Sequence, residues 1–456
     1  MSRSYARLYK NIVFPVIQLL QGRPTLRYLR HLESCVHLNR NELRELQWEK
    51  IKAVLRLSKQ IPLYRRKYSA LGINVDDIRS WDDFARLPFL TKDEVRQAGN
   101  DLVAEAYRGP LVEVRTGGST GQPLVYSCGP DFIAANLAAA WRSRRWHGID
   151  IGDPYIHLWG HYRFLDPRST RRERWIKRAQ DKIMNRLWLC AYNMSEADLV
   201  SYVQRILSFK PAWGIGYASA FHRLAIFCKA RGLSLPFSMK GIVLTSENCY
   251  EFQRELVEEV FNCPTMVEYG LTEVGIVAYE CPHGQLHVID ENIYLETIPR
   301  KGLPDGTGEI VVTQLSNSAT PLIRYRTGDI GTLSAKACTC GRNLTILEQL
   351  MGRDIDMLVT TEGRYVHGLY VIHIFDYLDN IREFQVVQKA MNSFDVLIVR
   401  ENTNIPVDIT FLRQRMREQF GDDIQVSILC VDHLPPEPSG KIRYVKSEVG
   451  QMEFGQ

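Results

Sequence analysis

From about residue 110 to about residue 340 the chain alternates short β-branched runs with stretches whose apolar residues recur at helical spacing. The runs Leu111–Val114, Leu124–Tyr126, Ile156–Trp159, Gly241–Thr245, Thr265–Glu268 and Glu309–Thr313 predict strands. Ser195–Phe209 and Tyr250–Phe261 predict two of the intervening helices, the first capped by Ser195. Strands and one-sided helices in alternation can bury their apolar surfaces only against each other. The pattern therefore predicts an α/β domain around a large sheet.

The flanks read differently. Residues 1–90 predict a mostly helical lead-in, with apolar residues at helical spacing over Asn41–Gln60 and with Asn39 and Asn41 as candidate caps. Pro62, Pro88 and Thr91-Lys92-Asp93-Glu94 mark turns and a new helix start. Beyond Gly352-Arg353-Asp354 the sequence predicts a small α+β unit. It has a short strand, a helix near His373–Leu378, strands Glu383–Lys389 and Ser393–Val399, a helix Ile409–Phe420 and a strand Ile424–Val431. The expected domains are thus residues 1–351 and 352–456, a division that a chain of 456 residues calls for in any case.

Composition narrows the function classes. Hydrophobic residues make up 45% and charged residues 24%, which rules out wholesale disorder. Lys plus Arg number 57 against 52 for Asp plus Glu; a net +5 over this length argues against a dedicated nucleic-acid binder but is compatible with anionic small substrates. Ten scattered cysteines form no disulfide framework, so a cytoplasmic protein with reduced thiols is expected. The apolar stretch Asn11–Leu20 is short for a membrane span and contains Pro15. It reads as a buried or docking segment, with peripheral membrane contact as the alternative. Arg171–Arg178 is the densest basic run; it reads as a solvated helix face, or as a contact for the phosphates of a cofactor, anionic lipid or an anionic glycan precursor.

Five strings carry chemistry. Thr116-Gly117-Gly118-Ser119-Thr120-Gly121-Gln122-Pro123 combines bending glycines with hydroxyl donors, an anion cradle suited to phosphates, and lies between two predicted strands. It lacks the Gly-Lys-Ser/Thr ending of a Walker A loop. Glu268-Tyr269-Gly270-Leu271-Thr272-Glu273, Arg324-Tyr325-Arg326-Thr327-Gly328-Asp329, Gly352-Arg353-Asp354-Ile355-Asp356 and Ser439-Gly440-Lys441-Ile442-Arg443 follow in that order. Singly each reads as a turn.

In this order the strings resemble the adenylate-forming superfamily of acyl-CoA and aryl-CoA ligases. The Thr-Gly-Gly-Ser-Thr-Gly loop and Cys338-Thr339-Cys340-Gly341-Arg342 resemble its phenylacetate-CoA ligase-like branch, which includes proteins of capsular polysaccharide biosynthesis. The resemblance implies an ATP- and Mg²⁺-dependent enzyme that activates a small carboxylate as an acyl-adenylate and passes the acyl group on, with CoA as co-substrate. Thr116, Gly117, Gly118, Ser119, Thr120 and Gly121 would hold the ATP phosphates. Glu273 would bind Mg²⁺, which takes carboxylate oxygen. Asp329 would accept both ribose hydroxyls. Tyr269, Gly270, Thr272 and Glu247 would line the nucleotide and acyl pockets, and Arg353 would contact ribose or phosphate. Lys441 would bridge the carboxylate and the α-phosphate, stabilising charge in the transition state, on a small domain that moves between the two half-reactions. The family's junction reads Gly-Arg-x-Asp-Asp; here Ile355 falls on the first aspartate, so Asp354 and Asp356 are both open as the hinge. Gln122 replaces a lysine common in the family loop. Trp159, His161, Trp213 and Tyr217 are candidates for the acyl pocket.

Cys281, Cys338 and Cys340, with His287 preferred over His283, could close a tetrahedral structural Zn²⁺ site, against a reading as buried unligated residues. Two further functional readings stand beside CoA ligation: transfer to an amine or hydroxyl in surface polysaccharide biosynthesis, and a non-catalytic scaffold on the same fold.

Overall fold

A computed structural model describes residues 3–115, 124–160, 170–191, 194–300, 303–334, 336–353, 357–362, 365–375, 377–435 and 442–449. The chain divides into two compact units. The first comprises Met1–Glu296, Ile310–Thr327 and Leu333–Gln349; the second comprises Thr297–Glu309, Gly328–Thr332 and Leu350–Gln456.

Strands β1 (Val112–Arg115) and β2 (Val125–Cys128) pair as an antiparallel ribbon, Arg115 opposite Val125. The main sheet is built from β3 (Tyr155–Trp159), β4 (Arg186–Cys190), β5 (Trp213–Gly216), β6 (Ile242–Thr245), β7 (Thr265–Leu271), β8 (Gly275–Glu280), β9 (Leu286–Val288), β10 (Ile293–Pro299), β11 (Thr307–Gln314), β12 (Tyr325–Ser334) and β13 (Ile346–Arg353). Its order is β10-β11-β12-β13-β9-β8-β7-β6-β5-β3-β4, eleven strands among the described residues. β4, β3, β5, β6 and β7 run parallel, and β7-β8-β9 turn antiparallel.

Successive residues of the parallel strands enter different cores, as a sheet covered on both faces requires. Ile156, Leu158, Ile242 and Leu244 pack under helices Glu196–Phe209, Ala218–Ala230 and Glu251–Phe261. Ile215, Val243 and Met266 face helix Pro130–Arg145 and the N-terminal helices. This double burial is why Ile242-Val243-Leu244 reads as a continuous apolar run. Ser195 caps its helix as expected, exchanging bonds with Asp198 in a capping box.

The lead-in is helical. Helix Arg40–Ser58 starts at Asn39, whose side chain accepts from the Asn41 and Glu42 N–H groups while Glu42 accepts from Asn39. Asn41 is therefore inside the first turn and not a cap, because Asn39, with its extended backbone, already supplies the capping oxygen from its side chain. Thr91 caps helix Lys92–Ala98 in the same way with Glu94. Buried Gln47 docks the long helix on the sheet domain, its Nε2 donating to the Asp290 and Ile293 carbonyls at 3.1 Å each.

In the second unit β14 (Met357–Val359) and β15 (Tyr365–His367) form a hairpin. β16 (Ile381–Ala390), β17 (Ser393–Arg400), β18 (Gln425–Cys430) and β19 (Val445–Ser447) form a four-stranded sheet in the order β18-β17-β16-β19. Helix Ile409–Phe420 buries Leu412, Met416 and Phe420 at a spacing of four, Phe420 packing on Phe394. The other helix spans Gly368–Phe375, starting five residues before the expected His373. Its run Leu369-Tyr370-Val371-Ile372 is hydrophobic throughout, with two β-branched residues, so it carries no helical period.

Candidate functional site

Parallel α/β sheets bind ligands beyond the carboxyl ends of their strands, and here the end of β6 leads into Glu247 and the end of β7 carries the string Tyr269–Glu273. After β6 the chain turns through Ser246, which adopts the left-handed region at φ 70°, an uncommon conformation for a serine. The turn delivers Glu247, whose carboxylate accepts from the Ser219 N–H at the start of the neighbouring helix. Trp159, at the end of β3, and Tyr217, just past β5, bring their rings within 4.7 Å. Trp213 is at the opposite end of β5, stacked on Tyr155 at 4.7 Å and almost fully buried. It belongs to the core rather than to this rim.

After β7 the chain reverses into β8, and Tyr269–Glu273 makes the reversal. Buried Tyr269 is at a register shift, and a side chain on Gly270 would strike the Gly275 carbonyl at 2.7 Å. Gly275 has φ +89°, and a Cβ there would collide with Asn136, whose Oδ1 accepts the Ile276 N–H at 2.9 Å. Thr272 is exposed at the tip. Glu273 turns inward and is only 4% exposed.

Its partner comes from the other string. Tyr325 Oη, at the head of β12, donates to Glu273 Oε1 at 2.9 Å, and Gln314 Nε2 holds the Glu273 carbonyl at 2.7 Å. The start of β12 is itself clamped. Leu90 N–H donates to the Arg324 carbonyl and Arg326 N–H to the Leu90 carbonyl, both at 2.9 Å. The buried Arg324 guanidinium forks onto Glu296 at 2.9 and 3.1 Å and donates to the Ala85 and Leu87 carbonyls. Thr327 Oγ1 donates to the Ile310 carbonyl at 2.8 Å. Asp329, farther along β12 in the second unit, is buried.

A second cluster sits where β9 pairs with β13. Cys281 Sγ lies 3.8 Å from Cys338 Sγ, and Cys340 Sγ lies 3.2 Å from His287 Nε2. The four ligand atoms all fall within 4.8 Å of one another. Tetrahedral bonds of about 2.3 Å to sulfur and about 2.0 Å to nitrogen put ligand atoms about 3.5–3.8 Å apart; the Cys281–Cys338 pair has that spacing, and the set as a whole needs only small shifts to close on Zn²⁺. Burial pushes the His287 imidazole down to about 4, which keeps it neutral, as a ligand must be. His283 turns away to Thr339, 2.8 Å from its Oγ1.

Comparison with known proteins bears on the whole arrangement. Residues 358–448 match the sequence profile of the CapK C-terminal domain. Protein CapK of Staphylococcus aureus is 24% identical over 370 residues, 80% of each chain. The phenylacetate-coenzyme A ligase of Thermus thermophilus is 25% identical over 402 residues, 85% of this chain and 86% of the relative. The chain is a homologue of CapK and of the phenylacetate-coenzyme A ligases. Among solved structures, 2-hydroxyisobutyryl-CoA ligase in its postadenylation state matches with a TM-score of 0.72 over 91% of both chains, at 19% identity. That likeness establishes the adenylate-forming ligase fold.

Several expected site residues lie outside the described residues: Thr116, Gly117, Gly118, Ser119, Thr120, Gly121, His161, Asp354, Ile355, Asp356 and Lys441. So does the side chain of Arg353, whose backbone ends β13. Two residues of the first unit escaped the sequence reading as site residues. Arg324 and Tyr325 were legible only as the first two letters of the string Arg324–Asp329, with no role attached to either.

Proposed function

We propose that this protein is an ATP-dependent, adenylate-forming acid–thiol ligase. A carboxylate attacks the α-phosphorus of ATP and pyrophosphate leaves. The CoA thiol then attacks the acyl carbonyl carbon of the adenylate, and AMP leaves. The observation that carries the reading is the buried bond from Tyr325 to Glu273, which joins two sequence strings far apart in the chain. Such a bond fixes a carboxylate beyond the sheet's strand ends, where Mg²⁺ bound to ATP could take its oxygen. In this reading Thr116–Gly121 hold the phosphates, Asp329 the ribose, and Tyr269, Gly270, Thr272 and Glu247 line the pockets. Arg353 and Lys441 act from a C-terminal domain that begins near 352, Lys441 in the adenylation step. Cys281, His287, Cys338 and Cys340 hold a structural Zn²⁺, since four protein ligands leave no open position. Free thiols and the small-molecule substrates fit a cytoplasmic enzyme.

Pyrophosphate exchange into ATP, run over a panel of small aliphatic and aromatic carboxylates, tests the first half-reaction. No carboxylate-dependent exchange with any of them, from folded protein, would argue for the scaffold reading.

The CapK-type C-terminal domain favours a second reading of the acceptor. The same adenylate would be passed to an amine or hydroxyl of a surface-polysaccharide precursor. Mass spectrometry of the products separates the two. A CoA ester formed from ATP, carboxylate and CoA supports the thiol; an adenylate that persists in the presence of CoA supports the other acceptor.

A further inference from the structure

The N-terminal helices carry two sets of apolar residues, one buried and one exposed. The first, Tyr9 and Phe14, is buried, Phe14 packing edge-on against Trp141 at 6.4 Å. The second is Leu8, Ile12, Val16, Leu19 and Leu20, with Leu19 and Leu20 79% and 81% exposed. The spacing of four from Leu8 to Leu20 runs through a π turn at Tyr9–Val13 and keeps these residues in one stripe. An isolated surface leucine is ordinary, but a stripe of five along an otherwise docked helix is not.

A second exposed apolar group adjoins it. Helix Arg171–Ile183 shows Trp175 69%, Ile176 40% and Ile183 43% exposed. Tyr5 Oη donates to the Ile183 carbonyl at 2.8 Å, which ties the end of this helix to the first turn of the N-terminal one. Both segments are strongly basic. Residues 1–32 contain six Lys or Arg and no Asp or Glu, and Arg171–Ile183 contains six against two acids. Of those two, Glu173 is used in the helix cap and Asp181 pairs with Arg186. Arg171, Arg172, Arg178 and Lys182 remain exposed.

From this juxtaposition of an exposed apolar stripe, an exposed Trp175 and a basic helix we propose that this face of the first unit docks on an anionic phospholipid bilayer. An acidic surface is the one partner that complements both features at once. The leucines enter the acyl boundary, Trp175 sits at headgroup depth, and the arginines face the lipid phosphates. No helix among the described residues is long and apolar enough to cross a membrane, so the contact is peripheral.

Flotation of the full chain with vesicles of one-third phosphatidylglycerol in phosphatidylcholine tests it. Binding is expected to the mixed vesicles, to weaken with salt, and to be largely lost on pure phosphatidylcholine. Each basic residue near such a surface is worth about five-fold in partitioning, so Arg171→Glu with Arg172→Glu should lower it more than about ten-fold. Leu19→Glu with Leu20→Glu should do the same while leaving pyrophosphate exchange and the thermal unfolding profile unchanged, which shows that the variant is folded. Failure to float overturns the proposal, as does binding that both variants leave intact. A gel-filtration dimer that the leucine variant splits, with no lipid binding, would make the face a contact between two copies and overturn it equally.

Discussion

Removing one hydroxyl, by Tyr325→Phe, tests whether the two sequence strings form a working pair. Tyr325 is 1% exposed and Glu273 4%, and their oxygens are 2.9 Å apart. A buried bond to an ionised group contributes about 1.5–3 kcal/mol, and a neutral one about 0.5–1.5. Tyr325→Phe should therefore lower unfolding stability in urea by about 1.5–3 kcal/mol. In a Glu273→Gln background the same change removes only a neutral bond and should cost about 1 kcal/mol less. The double-mutant cycle then gives a coupling of about 1 kcal/mol, above the few tenths at which independent sites add. The catalytic consequence is separate. If Glu273 is the Mg²⁺ ligand, Tyr325→Phe loosens its aim and should raise the Mg²⁺ concentration for half-maximal pyrophosphate exchange several-fold, and Glu273→Gln should raise it further. An additive cycle would refute the bond. A real coupling with unchanged Mg²⁺ saturation in both variants would refute the role.

The other expectations concern the remaining groups. Lys441→Ala should cut pyrophosphate exchange by about a hundred-fold, since one charge-stabilising donor carries about that much; thioester formation from a supplied adenylate should change far less. Purified protein should hold about one zinc per chain by elemental analysis, four ligands closing one tetrahedral site, and Cys338→Ser with Cys340→Ser should lose it and unfold at lower temperature. Arg324→Met strands the partly buried Glu296 carboxylate and should cost about 3 kcal/mol in denaturant unfolding, the low end of the cost of breaking a buried pair. Burial, with neighbouring Glu291 adding to it, pushes Asp290 from 3.8 up to about 7, although the Thr345 N–H and Arg142 oppose the shift. A carboxyl raised on folding binds its proton more tightly in the native state, so it destabilises the protein increasingly as pH rises from about 4 to about 7. Asp290→Asn should therefore stabilise at pH 8, and thermal melts should show that gain vanish towards pH 4.

The fold was readable in the sequence where local pattern and tertiary role agree. Ile242–Leu244 is apolar throughout because both faces of the sheet are covered there, and Ser195 and Thr91 cap helices with partners three residues on. It was unreadable where tertiary contact decides. β4, Arg186–Cys190, carries a basic residue and a tryptophan into the edge of the sheet, and Gly368–Phe375 is a helix despite its β-branched run. The metal-type cluster was readable because cysteine and histidine are rare enough for spacing to speak. Its geometry was not: His283 is nearer to Cys281 in sequence than the preferred His287, and it is the pairing of β9 with β13 that aims His287 at Cys340.

Arg324 shows what spacing can never disclose. At φ 49° it stands in a left-handed conformation that a side chain tolerates only when something holds it. What holds it is the fork on Glu296 and the carbonyls of Ala85 and Leu87, residues of a helical lead-in more than two hundred positions earlier. The bend turns the chain directly into Tyr325, which reaches Glu273. A buried ion pair is a weak source of stability, and a hydrophobic group of similar volume would often serve as well. Its value here is directional, because a guanidinium with several fixed donors sets the path of the backbone in a way that an apolar side chain does not. The helical lead-in, which carries none of the five strings, thereby fixes the start of β12 and with it the carboxylate assigned to Mg²⁺.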